Sequence, residues 1–176
     1  MLNLKRKIGV FGGSFDPPHV GHKKIAKISV KKLKLNKLYW VVAKKNPFKN
    51  NTFFSLEERL MLSKRLLKRE RKIITTSFYK KIRSNRTIDV INFLNKKYKN
   101  SKIYLIIGSD NLVKFHKWKN WITLTKKCTL VIFSRKGFDK KSKKTKIVKY
   151  LNNKKIIFVN NKKFNFSSSN LRKNFK

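Results

Sequence analysis

Strand-sized apolar runs alternate with segments of helical spacing along the whole chain, and this alternation limits the fold more than any other feature. Lys7–Phe11 is a short apolar run ending on Gly12 and Gly13, and it reads as a first buried strand. From His22 to about Leu35, the residues Ile25, Ile28 and Leu33 recur at roughly helical spacing. Leu38–Ala43 is a second strand. Ser55, with Glu58 three residues on, fits a capping box that opens a helix through Leu67. Lys72–Ser77 is strand-like, and Thr87–Tyr98 places Ile88, Ile91 and Leu94 on one helix face. Lys102–Ile107 is the clearest buried strand, followed by Thr129–Phe133 and Lys155–Val159. A helix is expected near Lys146–Leu151, a short last one in Ser167–Lys176, and a mobile loop over the lysine-rich Lys136–Lys146. Such a pattern predicts an α/β fold, a doubly wound domain with a mostly parallel sheet that binds ligands beyond the C-terminal strand edges. At 176 residues the chain suits one domain, 1–176.

Charge is the compositional anomaly. Lys and Arg number 48 against 7 Asp and Glu, a net charge of +41. Neutralisation of phosphate drives non-specific nucleic-acid affinity, so a basic nucleic-acid-binding protein is one class to weigh. Yet Lys supplies 39 of the 48 and Arg only 9, and the lysines are spread from end to end. Lys, Asn, Ile and Phe all have A/T-rich codons, so a biased genome produces this surface without a partner. Weak, salt-sensitive, sequence-independent binding follows from the charge; specific nucleic-acid binding is not expected. The lone Cys128 excludes an internal disulfide framework and a multi-cysteine zinc site. No apolar run approaches the ~18 residues of a membrane span, and the first residues lack an apolar stretch of signal-peptide length. The expectation is a soluble cytoplasmic protein without a membrane partner. A homo-oligomer is left open.

Rare residues cluster in one segment, Gly12-Gly13-Ser14-Phe15-Asp16-Pro17-Pro18-His19-Val20-Gly21-His22. It holds 3 of the 6 glycines, 2 of the 3 prolines and 2 of the 3 histidines. Lying after the first strand and opening the first helix, it occupies the place where an α/β fold presents backbone N–H groups to phosphate. His19 and His22, three apart at a helix start, share a face and can both touch one polyphosphate. The segment is neither a Walker loop nor a dinucleotide fingerprint, and Ser14 lacks the frame of a nucleophile elbow. A metal site of Asp16, His19 and His22 and a plain turn with helix-capping histidines are the alternatives to phosphate binding.

This segment resembles the signature of the nucleotidyltransferase superfamily marked by His/Thr-x-Gly-His. Phe166-Ser167-Ser168-Ser169-Asn170-Leu171-Arg172 is similar to the Ser/Thr-rich, Arg-terminated element of that superfamily. Within it, Thr87-Ile88-Asp89, Ile107-Gly108-Ser109-Asp110-Asn111-Leu112, Phe115-His116-Lys117-Trp118 with Trp121, and Asn46-Pro47-Phe48-Lys49 resemble the bacterial nicotinate mononucleotide adenylyltransferases. The resemblance runs from about Ile8 to Arg172. It implies a Rossmann-like fold and adenylyl transfer from ATP to nicotinate mononucleotide, with pyrophosphate released and Mg2+ carried with ATP. Another transferase of the superfamily, such as phosphopantetheine adenylyltransferase, is the nearest alternative.

The resemblance implies roles residue by residue. His19 and His22 would be catalytic contacts to the α- and β-phosphates. Gly12, Gly13, Ser14, Phe15, Gly108, Ser168, Ser169 and Arg172 would complete the ATP site. Lys45, Lys49, Thr87, Asp110 and Trp118 would bind the acceptor: Asp110 through ribose hydroxyls, Trp118 by stacking on the pyridine ring, Thr87 as a helix cap that doubles as a contact. No dedicated metal ligand is implied. On the residues alone, Asp110 serves equally as a helix N-cap, Trp118 and Trp121 read as core, His116 is a surface histidine and Cys128 inert packing.

Overall fold

The structure is a computed structural model and describes residues 5–44, 52–84, 86–160 and 168–172, with Lys80, Ser169 and Asn170 described by backbone alone. The elements run β1 (Lys7–Gly13), α1 (Val20–Lys32), β2 (Lys37–Val42), α2 (Leu56–Leu66), β3 (Ile73–Thr76), α3 (Tyr79–Ile82), α4 (Thr87–Lys97), β4 (Lys102–Gly108) and α5 (Ser109–Val113). A single 3-10 turn, Phe115–Lys117, precedes α6 (Trp121–Lys127), β5 (Thr129–Phe133), α7 (Asp139–Lys143), α8 (Lys146–Leu151), β6 (Ile156–Val159) and α9 (Ser168–Arg172). The strands form one six-stranded parallel sheet in the order β3-β2-β1-β4-β5-β6. The expected doubly wound, Rossmann-like α/β architecture is the one observed. By packing, the chain forms two compact units, Met1–Ile8 with Arg86–Lys163, and Gly9–Asn85 with Phe164–Lys176.

In the unit that contains Gly9, β2 is buried along Leu38–Val42. The fully buried Trp40 donates its indole N–H to Ser63 Oγ of α2 at 3.1 Å. The capping box is formed: Ser55 Oγ accepts from Glu58 N–H at 3.2 Å, and Glu58 Oε2 accepts from Ser55 N–H at 2.8 Å. Those bonds favour the ionised carboxyl and lower the pKa of Glu58. Helix α1 departs from its expected apolar face. It buries Gly21, Ala26 and Ser29, while Ile25, Ile28 and Leu33 stay half-buried. Small side chains on the inner face let a helix axis approach its neighbour closely.

In the unit that contains Arg86, α4 buries Ile88, Val90, Ile91 and Leu94, and β4 and β5 pair in parallel from Tyr104–Thr129 to Gly108–Phe133. Leu105, Ile106, Leu130 and Val131 are fully buried between faces, each contributing about 1.5–3 kcal/mol by leaving water. The expected mobile loop over Lys136–Lys146 is corrected: it contains α7. Gly137, at φ +83, makes the turn that precedes it. Asp139 Oδ1 then accepts from the Arg135 N–H and the Ser109 hydroxyl, both at 2.9 Å, and the buried Ser142 donates to Asp139 C=O at 2.8 Å. One acid and two serines outweigh the surrounding lysines.

Cys128 ends α6 and is buried, its thiol 3.2 Å from Leu124 C=O. Burial pushes its pKa up from 9.0 to about 12, partly offset by Lys155. The native thiol is therefore neutral, and its stabilising contribution is complete below pH 9.0 and is lost only as pH climbs toward about 12. Native protein at pH 8 should react with an aromatic disulfide reagent at least about a hundredfold more slowly than urea-unfolded protein. Comparable rates would show an accessible thiolate.

Candidate active site

The β1–α1 loop is fixed from beneath by a residue that sequence reading passed over. Arg59, in α2, is almost wholly buried. Its Nη1 donates to Ser14 C=O and Ala43 C=O, both at 2.8 Å, and its Nη2 to Lys44 C=O at 3.2 Å. Its Nε donates to Phe54 C=O at 3.0 Å and Ser55 C=O at 3.2 Å. One guanidinium thus joins the loop, the end of β2 and the start of α2. Burial lowers its pKa, with Asp16 and Glu57 acting in the opposite sense. Only the planar fork of Arg spans acceptors set in these directions.

Asp16 is the second anchor. Its buried carboxylate accepts from Phe53 N–H and Phe54 N–H, both at 2.9 Å, one on each oxygen. From α9, Arg172 Nη1 donates to Asp16 C=O at 2.6 Å and lies 3.7 Å from Asp16 Oδ2. Ser168 Oγ donates to Pro17 C=O at 3.0 Å. The two sequence motifs are thereby brought together, with Arg172 and Ser168 seated on the loop. Asp16 points at peptide N–H groups, which assigns it a structural task in place of the metal-ligand alternative. Among the described residues, no three His, Cys, Asp or Glu side chains group as metal ligands.

His19 occupies the N-cap position of α1, and its side chain makes no capping hydrogen bond, so the capping alternative fails. Its ring stacks on that of His22, centroids 3.7 Å apart and planes 27° apart. Both are half-buried. Phe15 supports them. Its ring stacks on Trp40 at 4.0 Å and meets His22 edge-on at 5.1 Å. Phe15 holds φ at +47, a left-handed conformation that costs an aromatic residue about 1–3 kcal/mol and persists only where neighbours impose it. A Cβ on Gly13 would lie 3.1–3.3 Å from the Phe15 ring, so this glycine makes room for the ring. Around Gly12 there is open space. The result is a pair of imidazoles on a rigid loop, at the N-terminus of a 13-residue helix, suited to oxyanions.

The other unit carries the second set of expected residues. Gly108 is the N-cap of α5, so the N-cap alternative for Asp110 is corrected: Asp110 lies in the first turn. Its Oδ2 accepts from Arg135 Nη1 at 2.9 Å, a half-exposed pair that orients more than it stabilises. Its Oδ1 is buried without a hydrogen-bond partner among the described residues, and a Cβ on Gly108 would collide with it. Such an oxygen can accept from a ligand hydroxyl. Trp118 is half-buried beside Phe115, ring centroids 4.9 Å apart, and its Nε1 is likewise without a partner among the described residues. Thr87 is the first helical residue of α4, and Arg86 holds the cap position expected of it. Trp121 packs edge-on against Tyr150 at 5.4 Å, and His116 is exposed. Lys45 and Lys49 lie outside the described residues, as does Ser167, and Ser169 is placed only on the α9 backbone.

A family model described as cytidylyltransferase-like matches residues 10–174. A protein of Pelagibacter ubique, described as a probable nicotinate-nucleotide adenylyltransferase, is 44% identical over 98% of this chain and 96% of its own length. A protein of Agrobacterium fabrum with the same description is 34% identical over 74% of this chain and 70% of its own length. Among solved structures, the Plasmodium falciparum nicotinic acid mononucleotide adenylyltransferase complexed with APC superposes with a TM-score of 0.76 at 19% identity, covering 96% of this chain and 83% of its own. At that identity the likeness speaks for the fold.

Removing the Arg59 side chain breaks five bonds to carbonyls beside the buried Asp16. Arg59→Ala should destabilise the protein by about 3–5 kcal/mol, as loss of one member of a buried charged network does, and Arg59→Lys should recover less than half. Urea denaturation measures both. A loss under about 1 kcal/mol would show that the loop is held by other means.

Proposed function

The chain belongs to the cytidylyltransferase-like family, and from that premise we propose that it is a nicotinate-nucleotide adenylyltransferase, joining ATP and nicotinate mononucleotide into deamido-NAD and pyrophosphate for NAD biosynthesis. The observation that carries the chemistry is the stacked His19–His22 pair on a loop locked by Arg59 and Asp16. In the reaction, a phosphate oxygen of the mononucleotide forms a bond to the α-phosphorus of ATP while the bond from that phosphorus to the bridging oxygen breaks. Pyrophosphate leaves with the bond electrons. Two anions must be aligned and neutralised, and no covalent enzyme intermediate is needed.

In this proposal His19 and His22 donate to the α- and β-phosphates as charge moves onto them. Backbone N–H groups from Gly12, Gly13, Ser14 and Phe15 hold phosphate, while Ser168, Ser169 and Arg172 hold the leaving group. The grip of Asp16 on Arg172 sets that guanidinium in place beforehand. Gly108 is assigned to the ATP site as well. Asp110, oriented by Arg135, accepts from ribose hydroxyls, and Trp118 stacks on the pyridine ring. Thr87, Lys45 and Lys49 complete the acceptor assignment. Mg2+ travels on the phosphates of ATP, as it commonly does with few protein ligands. No helix among the described residues is long and apolar enough to cross a membrane, and a cytoplasmic location and a single nucleotidyltransferase domain over 1–176 belong to the same proposal.

Pyrophosphate release from Mg-ATP, measured with each acceptor in turn, tests the assignment. Nicotinate and nicotinamide rings have nearly the same shape, so donors aimed at the carboxylate must tell them apart, at about 1.5–3 kcal/mol per charge-assisted bond. Nicotinate mononucleotide should be favoured by roughly tenfold to a hundredfold in kcat/KM. Equal efficiency would remove the acceptor assignment, and activity on phosphopantetheine alone would transfer the chain to another member of the superfamily. His19→Ala and His22→Ala should each lower kcat by roughly 10²–10³ while leaving the fold intact. Trp118→Ala should weaken both acceptors alike, whereas a selective loss would assign Trp118 a part in reading the carboxylate.

A further inference from the structure

We infer, resting on the assignment of Asp110 to the acceptor's ribose hydroxyls, that Asp139 is a positioning residue of that site: it fixes Asp110 through Ser109 and Arg135 and touches no substrate itself. Asp139 opens α7 and is one of only 7 acidic residues in the chain. Lys136, Lys140, Lys141 and Lys143 flank it in sequence, yet the ion pairs among the described residues do not include it. Its Oδ1 accepts instead from the Ser109 hydroxyl and the Arg135 N–H, both at 2.9 Å. The same Arg135 N–H lies 3.0 Å from Ser109 Oγ, so the three residues meet at one point.

Those two partners are the groups that decide where the Asp110 carboxylate stands. Ser109 is buried and immediately precedes Asp110 in α5. Arg135 is the ion-pair partner of Asp110, its Nη1 2.9 Å from Oδ2. The Arg135 side chain is 55% exposed, and a free arginine in that setting gains little from pairing, because it must give up rotamer freedom to do so. With its main chain tied to the start of α5 by Asp139, the guanidinium starts from a fixed root. Its Cδ lies 3.9 Å from where a Cβ on Gly108 would stand, so the side chain passes over a residue with none. Pairing at Oδ2 leaves Oδ1 of Asp110, which has no partner among the described residues, as the oxygen for a ligand hydroxyl. A separate bond holds α7 itself. The buried Ser142 donates its hydroxyl to Asp139 C=O at 2.8 Å and does not use the carboxylate. Positioning and helix stability can therefore be separated by mutation.

Steady-state kinetics of the full chain, with Mg-ATP saturating and nicotinate mononucleotide varied, test this on variants whose folding is checked by urea denaturation. Asp110→Asn should raise the acceptor KM at least about tenfold, through loss of a charge-assisted bond. Asp139→Ala should raise it at least about fivefold with kcat changed less than about twofold. Asp139→Asn keeps an acceptor at Oδ1 and should return the KM to within about twofold of wild type. Ser142→Ala should lower the urea midpoint and leave the KM within about twofold. Added to Asp110→Asn, Asp139→Ala should raise the KM by less than about a further twofold, because both act through one carboxylate. A normal KM in Asp139→Ala beside an impaired Asp110→Asn would overturn the inference and leave the assignment of Asp110 standing. So would a KM raised as much by Ser142→Ala as by Asp139→Ala, or the full fivefold loss repeated in the double variant. An acceptor KM unmoved by Asp110→Asn would overturn the assignment of Asp110, and the role of Asp139 with it.

Discussion

A buried guanidinium with five bonds to main-chain carbonyls governs this half of the molecule. Arg59 reaches the β1–α1 loop, the end of β2 and the start of α2 from a single side chain. A buried carbonyl acceptor left unpaired costs about 1–3 kcal/mol, and the guanidinium serves several of them at once. Arg59 turns that liability into a clamp. Asp16 complements it by accepting the N–H groups of Phe53 and Phe54, so donors and acceptors of two connections are satisfied by one cation and one anion.

The histidine pair depends on that clamp. A loop with Phe15 in the left-handed region is not a conformation an unconstrained chain prefers. It is held by the stacking of Phe15 on Trp40 and by the attachment of Ser14 to Arg59, and the indole of Trp40 is itself fixed by Ser63. The imidazoles of His19 and His22 are therefore held in a set geometry, which in the proposed reaction would await the phosphates. For a reaction whose difficulty is bringing two anions together, setting the donors in advance is most of the catalysis a protein can offer.

Much of this was legible in the residues. The apolar runs located all six strands among the described residues, because parallel strands buried on both faces leave uninterrupted runs such as Lys102–Ile107. The Ser55–Glu58 box set the start of α2 because capping is a local interaction. The β1–α1 loop stood out as a candidate site through its density of Gly, Pro and His. What escaped is what packing decides. Arg59 sits in a helix of which the sequence marks only the start and the extent, and its bonds run to residues up to 45 positions away. One signal was available. In a chain with 39 Lys and only 9 Arg, an arginine stands where lysine would be the ordinary cation. Arg59, Arg135 and Arg172 each bind a carbonyl or a carboxylate that shapes a candidate site. Similarly, α7 was hidden in lysine because Asp139 acts through Ser109, 30 residues away.

If the proposed site is right, the β1–α1 loop is built before substrate binds. Crystal structures of the chain alone and with a non-hydrolysable ATP analogue test it most directly. The α- and β-phosphates should lie against His19 and His22, with Cα atoms of residues 13–19 displaced by less than about 1 Å. Arg59 should remain on Ser14 and Ala43, and Asp16 on Phe53 and Phe54, in both. A free structure with these bonds broken and the loop rebuilt on binding would contradict it, as would phosphates placed away from the two imidazoles.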